Sequence, residues 1–313
     1  MGPTASGKTD LAIALAEHLP VEIISVDSAQ IYRKLDLGTA KPDSKILTKY
    51  PHRLINIRDP SEVYSVGEFV RDAKEQMISI ASEGKVPLLV GGTMLYFNKL
   101  LEGIADLPPA DERVRSEIQK RADIDGWPVL FKELKSKDPK IASKIHPNHS
   151  QRIQRALEVL YITGETLSQR QSRSQISGIL EEYNIAQFAL VPKDRSLLHS
   201  RIENRFYQMM SNGFIDEVRC LYDSSNITED MPALKSVGYR QMWQYFDGKL
   251  SLEEAVAKSI FASRQLAKRQ LTWLRGFSET NQIYIDDGKK FVDTKKMCDQ
   301  VLKTLEYSAI LSS

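Results

Sequence analysis

The sequence predicts an α/β fold: a parallel sheet flanked by helices and interrupted by an all-helical insertion domain. Up to about Leu107, apolar runs of strand length alternate with helix-length segments. Strand signals then vanish from about Pro108 to Glu182, where Lys, Arg, Gln and Glu dominate, and a strand-like run returns at 185–191.

Each element has its own signal. Residues 9–19 read as a helix, 21–26 (Val-Glu-Ile-Ile-Ser-Val) as a buried strand and 54–57 as a short strand. Phe69, Ala73, Met77 and Ile80 give 68–82 a helical period, and 86–90 is a near-continuous apolar run closed by Gly91-Gly92. The insertion is expected to hold helices at 112–122, 128–135 and 150–163, and the chain after the last strand helices at 196–210 and 252–273. The domain plan is residues 1–110 as the first part of the core, 111–184 as the insertion, and 185–313 as the core resumed with C-terminal helices.

With 42% hydrophobic and 27% charged residues in 313, the chain can bury a sizeable core. A net charge of +2 excludes a polycation that coats nucleic acid, so any such surface must come from local clusters of Lys and Arg. Cys220 and Cys298 lack metal-ligand spacing and read as packing residues in a reducing compartment. His146 reads as a turn residue and His52 as a loop residue, none of the five histidines has a metal-site partner, and no structural zinc is expected. No apolar run approaches the roughly 18 residues of a membrane span, and no signal-peptide pattern opens the chain. A cytoplasmic protein without membrane partners, and a monomer, is expected.

The first eight-residue motif carries chemistry. Gly2-Pro3-Thr4-Ala5-Ser6-Gly7-Lys8-Thr9 fits G-x-x-x-x-G-K-[ST] without mismatch. Its glycines let backbone N–H groups turn toward phosphate oxygens, Lys8 adds a compact positive charge, and the Thr9 hydroxyl is placed to ligate Mg²⁺. The helix that begins there favours an anion as well. The core is therefore expected to be P-loop NTPase-like. Such a loop ordinarily follows a buried strand; only Met1 precedes Gly2, so the first strand is apparently missing and a start further upstream is expected. By itself the motif says that a di- or triphosphate binds. The run at 86–90 ends in Gly-Gly-Thr without the Asp many NTPases use for Mg²⁺, which weighs against a motor ATPase.

Further blocks follow in order: Asp27-Ser28-Ala29-Gln30-Ile31-Tyr32, Gly38-Thr39-Ala40-Lys41-Pro42, Pro51-His52-Arg53, Asp59-Pro60 and Gly91-Gly92-Thr93-Met94-Leu95-Tyr96. Others are Gln151-Arg152-Ile153-Gln154-Arg155-Ala156-Leu157-Glu158, Val237-Gly238-Tyr239-Arg240-Gln241-Met242 and the run from Arg264 to Trp273. Together with the phosphate loop they closely resemble the tRNA dimethylallyltransferase (isopentenyltransferase) family, over nearly the whole chain. The resemblance implies transfer of a dimethylallyl group from dimethylallyl diphosphate to N6 of the adenosine next to the anticodon of tRNA, with release of diphosphate. It makes the anticodon stem-loop of tRNA and dimethylallyl diphosphate the partners.

The chemistry has candidates at each step. Lys8, the loop amides and Mg²⁺ at Thr9 would neutralise the departing diphosphate. Arg201 and Arg205, four apart on one helix face, could add a cationic clamp, or could equally be a solvated face paired with Glu203. Asp27 follows the strand at 21–26, on the sheet edge where the phosphate loop also lies. The resemblance makes it the general base, against a plainer reading as a turn or helix-cap residue. Thr93 reaches the same edge and resembles a substrate-contacting Thr. Asp27, Ser28, Ala29 and Gln30 resemble the segment that meets tRNA, Gln30 having an amide able to read a base edge. In 150–163, Ile153, Ala156, Leu157 and Leu160 gather on one side and Gln151, Arg152 and Arg155 on the other. The resemblance makes Gln151–Arg155, Ile153 and Gln154 included, a tRNA contact, with Arg115 as another. Lys235, Ser236, Val237, Gly238, Tyr239, Arg240, Gln241 and Met242 are a further candidate contact, although Val237-Gly238-Tyr239 could be a structural turn. Arg264, Lys268 and Arg275 share a face from which Leu266 and Trp273 point away. Two other enzymes remain open, a prenyltransferase for free adenine nucleotides and a metabolite kinase, as does a non-catalytic RNA-binding module.

Overall fold

The structure, a computed structural model, describes residues 1–173 and 175–312. The chain forms two compact units, one of Met1–Asn98 with Asn184–Ser313 and one of Lys99–Tyr183.

In the first unit, helix α1 (Lys8–Ala16) leads to strand β1 (Val21–Val26), then to α2 (Ser44–Lys49) and the two-residue β2 (His52–Arg53). Helix α3 (Val66–Ser82) and strand β3 (Val86–Gly91) follow, and α4 (Met94–Glu102) leads into the second unit. The strands order as β2-β1-β3, all parallel, with Val21 opposite Val86 and Val26 opposite Gly91. Because α1 and α3 both pack on this sheet, β1 is buried on both faces, which is why its sequence runs apolar instead of alternating. Glu22 and Ser25 are the polar exceptions, and Glu22 is held by Arg53 at 2.5 Å and Lys85 at 3.0 Å. Helix α3 starts two residues earlier than its apolar period suggests, because Ser65 and Glu68 form a reciprocal capping box. The strand expected at 54–57 is absent, and the ladder instead takes His52–Arg53, which was expected to be loop. Leu54 and Asn56 adopt φ of 63° and 58°, a left-handed geometry that no strand residue can hold.

The second unit opens with β4 (Gly103–Ala105) and continues through α5 (Glu112–Asp125), α6 (Trp127–Lys137), α7 (Pro139–Ala142), α8 (Ser150–Thr163) and α9 (Leu167–Arg173). Strand β5 (Gln175–Ser177) then pairs antiparallel with β4. The insertion is therefore not all-helical: its two ends meet in a short ladder whose three-residue strands are too brief to leave a period in the sequence. Its core is helical, with Ile118, Leu130, Ile153 and Leu157 fully buried.

The first unit resumes with β6 (Gln187–Val191), α10 (Arg195–Ser211), α11 (Phe214–Tyr222), α12 (Tyr239–Phe246) and α13 (Leu252–Leu274). Strand β7 (Thr280–Tyr284) and α14 (Thr294–Ser312) complete it. Strand β6 does not extend the first sheet as expected; it pairs in parallel with β7 as a separate two-stranded sheet. The Met1 nitrogen donates to the Phe188 carbonyl at 2.8 Å, and Leu190 N donates to the Met1 carbonyl at 2.9 Å. The phosphate motif thus leaves from beside β6. Leu11 and Leu15 of α1 pack with Leu190, Leu198, Ile283 and Val301, a core that anchors the helix behind that motif. Cys298 is buried, whereas Cys220 is exposed rather than packed. Among the described residues, no helix is long and apolar enough to cross a membrane.

Candidate active site

The sequence motif at 2–9 folds into a tight loop ahead of α1. Ala5 and Gly7 take φ of 61° and 82°, and Gly7, the N-cap of α1, occupies the geometry that glycine adopts without cost. No side chain caps that helix, so its first amides are left to the cleft in front of them. Thr4, Ala5, Ser6, Gly7, Lys8 and Thr9 line this cleft, whose volume is about 790 Å³. Gly2 and Pro3 are buried behind it.

Lys8 folds back to donate to the Pro3 carbonyl at 2.6 Å. Burial pushes its ammonium down to about 7, against the attraction of Asp27 and with repulsion from Arg205. Among the described residues, the Ser6 hydroxyl, 1% exposed, has no hydrogen-bond partner. A hungry lysine and an orphaned hydroxyl at a bare helix N-terminus suit an anion rich in acceptor oxygens.

Arg201 and Arg205 of α10 stand on the same cleft. The Arg201 guanidinium lies over the Phe291 ring at 4.9 Å and 3.7 Å from Asp10. Desolvation lowers Arg205, with Asp27 pulling the other way and Arg201 adding to the depression. Glu203, the plainer partner for these arginines, pairs with Arg264 at 2.5 Å instead.

Asp27 leaves the carboxyl end of β1 and also lines the cleft. Its Oδ1 accepts from Ala29 N at 2.9 Å and Gln30 N at 3.3 Å, so the turn-residue reading holds for one oxygen. Among the described residues, Oδ2 takes no hydrogen bond. Gln30 is held by the Ser25 hydroxyl at 3.2 Å and donates to the Thr39 carbonyl at 3.3 Å. Thr93 does not line the cleft; its hydroxyl accepts from Ser28 N at 3.0 Å and donates to the Ser28 hydroxyl at 3.3 Å, tying the turn after β1 to the end of β3.

Gln270 of α13 was present in a recognised block without a role. Its carbonyl accepts from Thr4 N at 2.7 Å and its amide donates to the Gly92 carbonyl at 2.9 Å. One primary amide thus brackets the phosphate loop to the turn carrying Thr93. A single Gln within a helix leaves no signal in periodicity, which is why sequence reading passed over it.

The candidate RNA contacts divide. Gln151, Arg152, Lys235 and Arg240 are exposed, while Ser236 and Val237 line the cleft. Ile153, Tyr239 and Met242 are fully buried, so their side chains are core and are withdrawn as contacts. Gly238 is buried and Gln241 caps α12 by accepting from Gly238 N at 2.9 Å. Arg115 and Arg155 both turn onto the buried Glu158, at 2.9 and 2.7 Å, and Gln154 donates to the Arg115 carbonyl at 3.3 Å. On α13, Lys268 is exposed but Arg264 is engaged by Glu203, and Trp273, expected to point away from the face of Arg264 and Lys268, is 43% exposed while Leu274 is buried.

The model of the family described as IPP transferase matches residues 30–277. A full-length tRNA isopentenylpyrophosphate transferase from Bacillus halodurans is 36% identical, covering 99% of this chain and 97% of that one, with a TM-score of 0.68. A tRNA delta(2)-isopentenylpyrophosphate transferase from Staphylococcus epidermidis is 31% identical over 98% and 97% of the two chains, with a TM-score of 0.67. A eukaryotic dimethylallyltransferase acting on tRNA is 27% identical over 91% and 73%, with a TM-score of 0.76. The match over most of the length, joined to the phosphate loop and the carboxylate facing it, shows that this chain belongs to the IPP transferase family.

Proposed function

We propose that the protein transfers a dimethylallyl group from dimethylallyl diphosphate to N6 of the adenosine next to the anticodon of tRNA. The carrying observation is that Lys8, Arg201, Arg205 and Asp27 all line one cleft. The core is read as P-loop NTPase-like with its loop turned to a diphosphate leaving group. As the bond between the prenyl carbon and the diphosphate oxygen breaks, charge grows on that oxygen, and Lys8, the loop amides and the two arginines stabilise it. The N6 lone pair forms the new C–N bond, and Asp27, through Oδ2, takes the proton that N6 loses. Base assistance of this kind contributes about 10²–10⁴ in rate. The diphosphate leaves as the second product.

Mg²⁺ fits this site through the Thr9 hydroxyl and diphosphate oxygens, since Mg²⁺ commonly takes few protein ligands and substrate phosphates complete its shell; bound there it would supply further charge neutralisation. Thr93 supports the reading by fixing Ser28 beside Asp27, and Gln30 by presenting an amide at the cleft. Gln151, Arg152, Lys235 and Arg240 suit contacts to tRNA phosphates, and Arg115 and Arg155 suit a supporting role through Glu158.

The test is transfer of radiolabelled dimethylallyl diphosphate to unmodified tRNA by the parent protein and Asp27→Ala, with free AMP as control acceptor. Label on tRNA that vanishes in the variant is expected. Label on AMP alone would move the acceptor to a free nucleotide, and label on neither from folded protein would sink the assignment.

A further inference from the structure

Glu217, on α11, is absent from every motif that identified the site. Its carboxylate is nonetheless seated in three consecutive backbone amides: Oε2 accepts from Asp36 N at 3.1 Å and Leu37 N at 2.7 Å, and Oε1 from Gly38 N at 3.2 Å. Oε1 also accepts from the Tyr239 phenol at 2.5 Å. Successive amides turned to one point form an anion-binding concavity, and here the protein fills it with its own side chain.

What Glu217 grips is a wall of the cleft. Gly38, Thr39, Ala40 and Lys41 line it, and the Thr39 and Ala40 carbonyls accept from the Gln30 amide at 3.3 and 3.5 Å. At the base of the loop, Lys41 Nζ donates to the Tyr32 carbonyl, Asp36 and Asn56 at 2.9, 2.6 and 2.7 Å. Lys34 and Ala40 hold φ of 65° and 48°, so the loop carries strain that its anchors must offset. At the tip, Gly38 lies against Phe214 and Tyr239, whose rings meet edge-on at 5.1 Å. A Cβ at Gly38 would lie 2.3 Å from Phe214 and 2.5 Å from Tyr239, so a side chain there must lever the loop away from Glu217.

We propose that Glu217 is a positioning residue for the acceptor: by clamping the amides of residues 36–38 it fixes the carbonyls that orient Gln30, and so sets how the tRNA base is held beside Asp27. This rests on the reading of Gln30 as a base-facing residue in the proposed transfer. The diphosphate side is held by other elements, α1, α10 and α13. Loss of the clamp therefore acts on the acceptor and spares the donor.

The experiment varies tRNA and dimethylallyl diphosphate separately for the parent, Glu217→Ala, Glu217→Gln and Gly38→Ala, and titrates inorganic diphosphate in each. For Glu217→Ala and Gly38→Ala, kcat/KM for tRNA should fall about tenfold or more. Diphosphate affinity should stay within about twofold. Glu217→Gln keeps one acceptor oxygen for two of the amides and should recover part of the loss. If Glu217→Ala does not fold, Glu217→Gln and Tyr239→Phe carry the test, each expected to show a smaller loss confined to tRNA. Unchanged tRNA kinetics in folded variants overturns the proposal. So does a fall in diphosphate affinity that parallels the fall in transfer, which marks a general structural role. Failure of the parent to label tRNA would count against the proposed function; an active parent with an unaffected Glu217→Ala counts against the clamp alone.

Discussion

At the scale of single residues, Lys8 is held far from its ordinary ionisation by burial. In the unfolded chain it titrates near 10.5, and burial brings it to about 7 in the fold. Between those values the unfolded chain holds more protons, so this group adds to stability as pH rises and removes it as pH falls toward 7. Lys8→Met should flatten the stability–pH profile across that window, measured by urea unfolding at stepped pH, and should abolish diphosphate binding. An anion in the loop restores the proton, so binding to the parent above pH 7 should take up protons. Calorimetry in buffers of differing ionisation enthalpy reads this directly, and no dependence on buffer would refute it. Sequence made Lys8 and Asp27 legible because their chemistry demands fixed spacing from glycines and a strand end. It could not show that Ile153, Tyr239 and Met242 face the core, because a block of matched residues mixes contact and scaffold. Nor could it reveal Glu217, whose partners are backbone amides 179 to 181 positions away.

At the scale of elements, the helices expected by range match α1, α3, α5, α6, α8, α10 and α13 to within a few residues, because apolar stripes are local, whereas α2, α4, α7, α9, α11, α12 and α14 had no expected range. Element β7 was not: Thr-Asn-Gln-Ile-Tyr buries only Ile283, and pairing with β6 across the chain, rather than its own pattern, makes it a strand. Capping supplies a check on the local terms. Ser65→Ala removes one side of the box at the start of α3 and should cost about 1 kcal/mol, read as a drop in Tm. Gln270→Glu keeps the acceptor for Thr4 N but sets a carboxylate oxygen against the Gly92 carbonyl. It should lower kcat with little change in tRNA affinity, and an unaltered kcat would remove Gln270 from the positioning of the loop.

At the scale of the whole molecule, each unit carries its own core, the first around Leu11, Leu190 and Ile283 and the second around Ile118, Leu130 and Leu157. Glu158 is the polar centre of the second, accepting from Arg115, Arg155 and the Asp111 amide. Glu158→Ala leaves both guanidinium groups without their carboxylate and should cost about 3 kcal/mol, seen as a shift of one calorimetric transition and not the other. Arg152, exposed and unengaged by Glu158, is the contrasting case: Arg152→Ala should leave melting unchanged and reduce the salt slope of tRNA binding by about 1. The second unit also closes on itself. The Leu100 carbonyl accepts from Ile179 N at 3.0 Å, and β4 runs antiparallel to β5. An excursion that returns to the point it left from can be shortened, exchanged or transplanted without rerouting the chain around it. Evolution can in this way trade the whole cassette while the core around Leu11, Leu190 and Ile283 passes to the descendant intact.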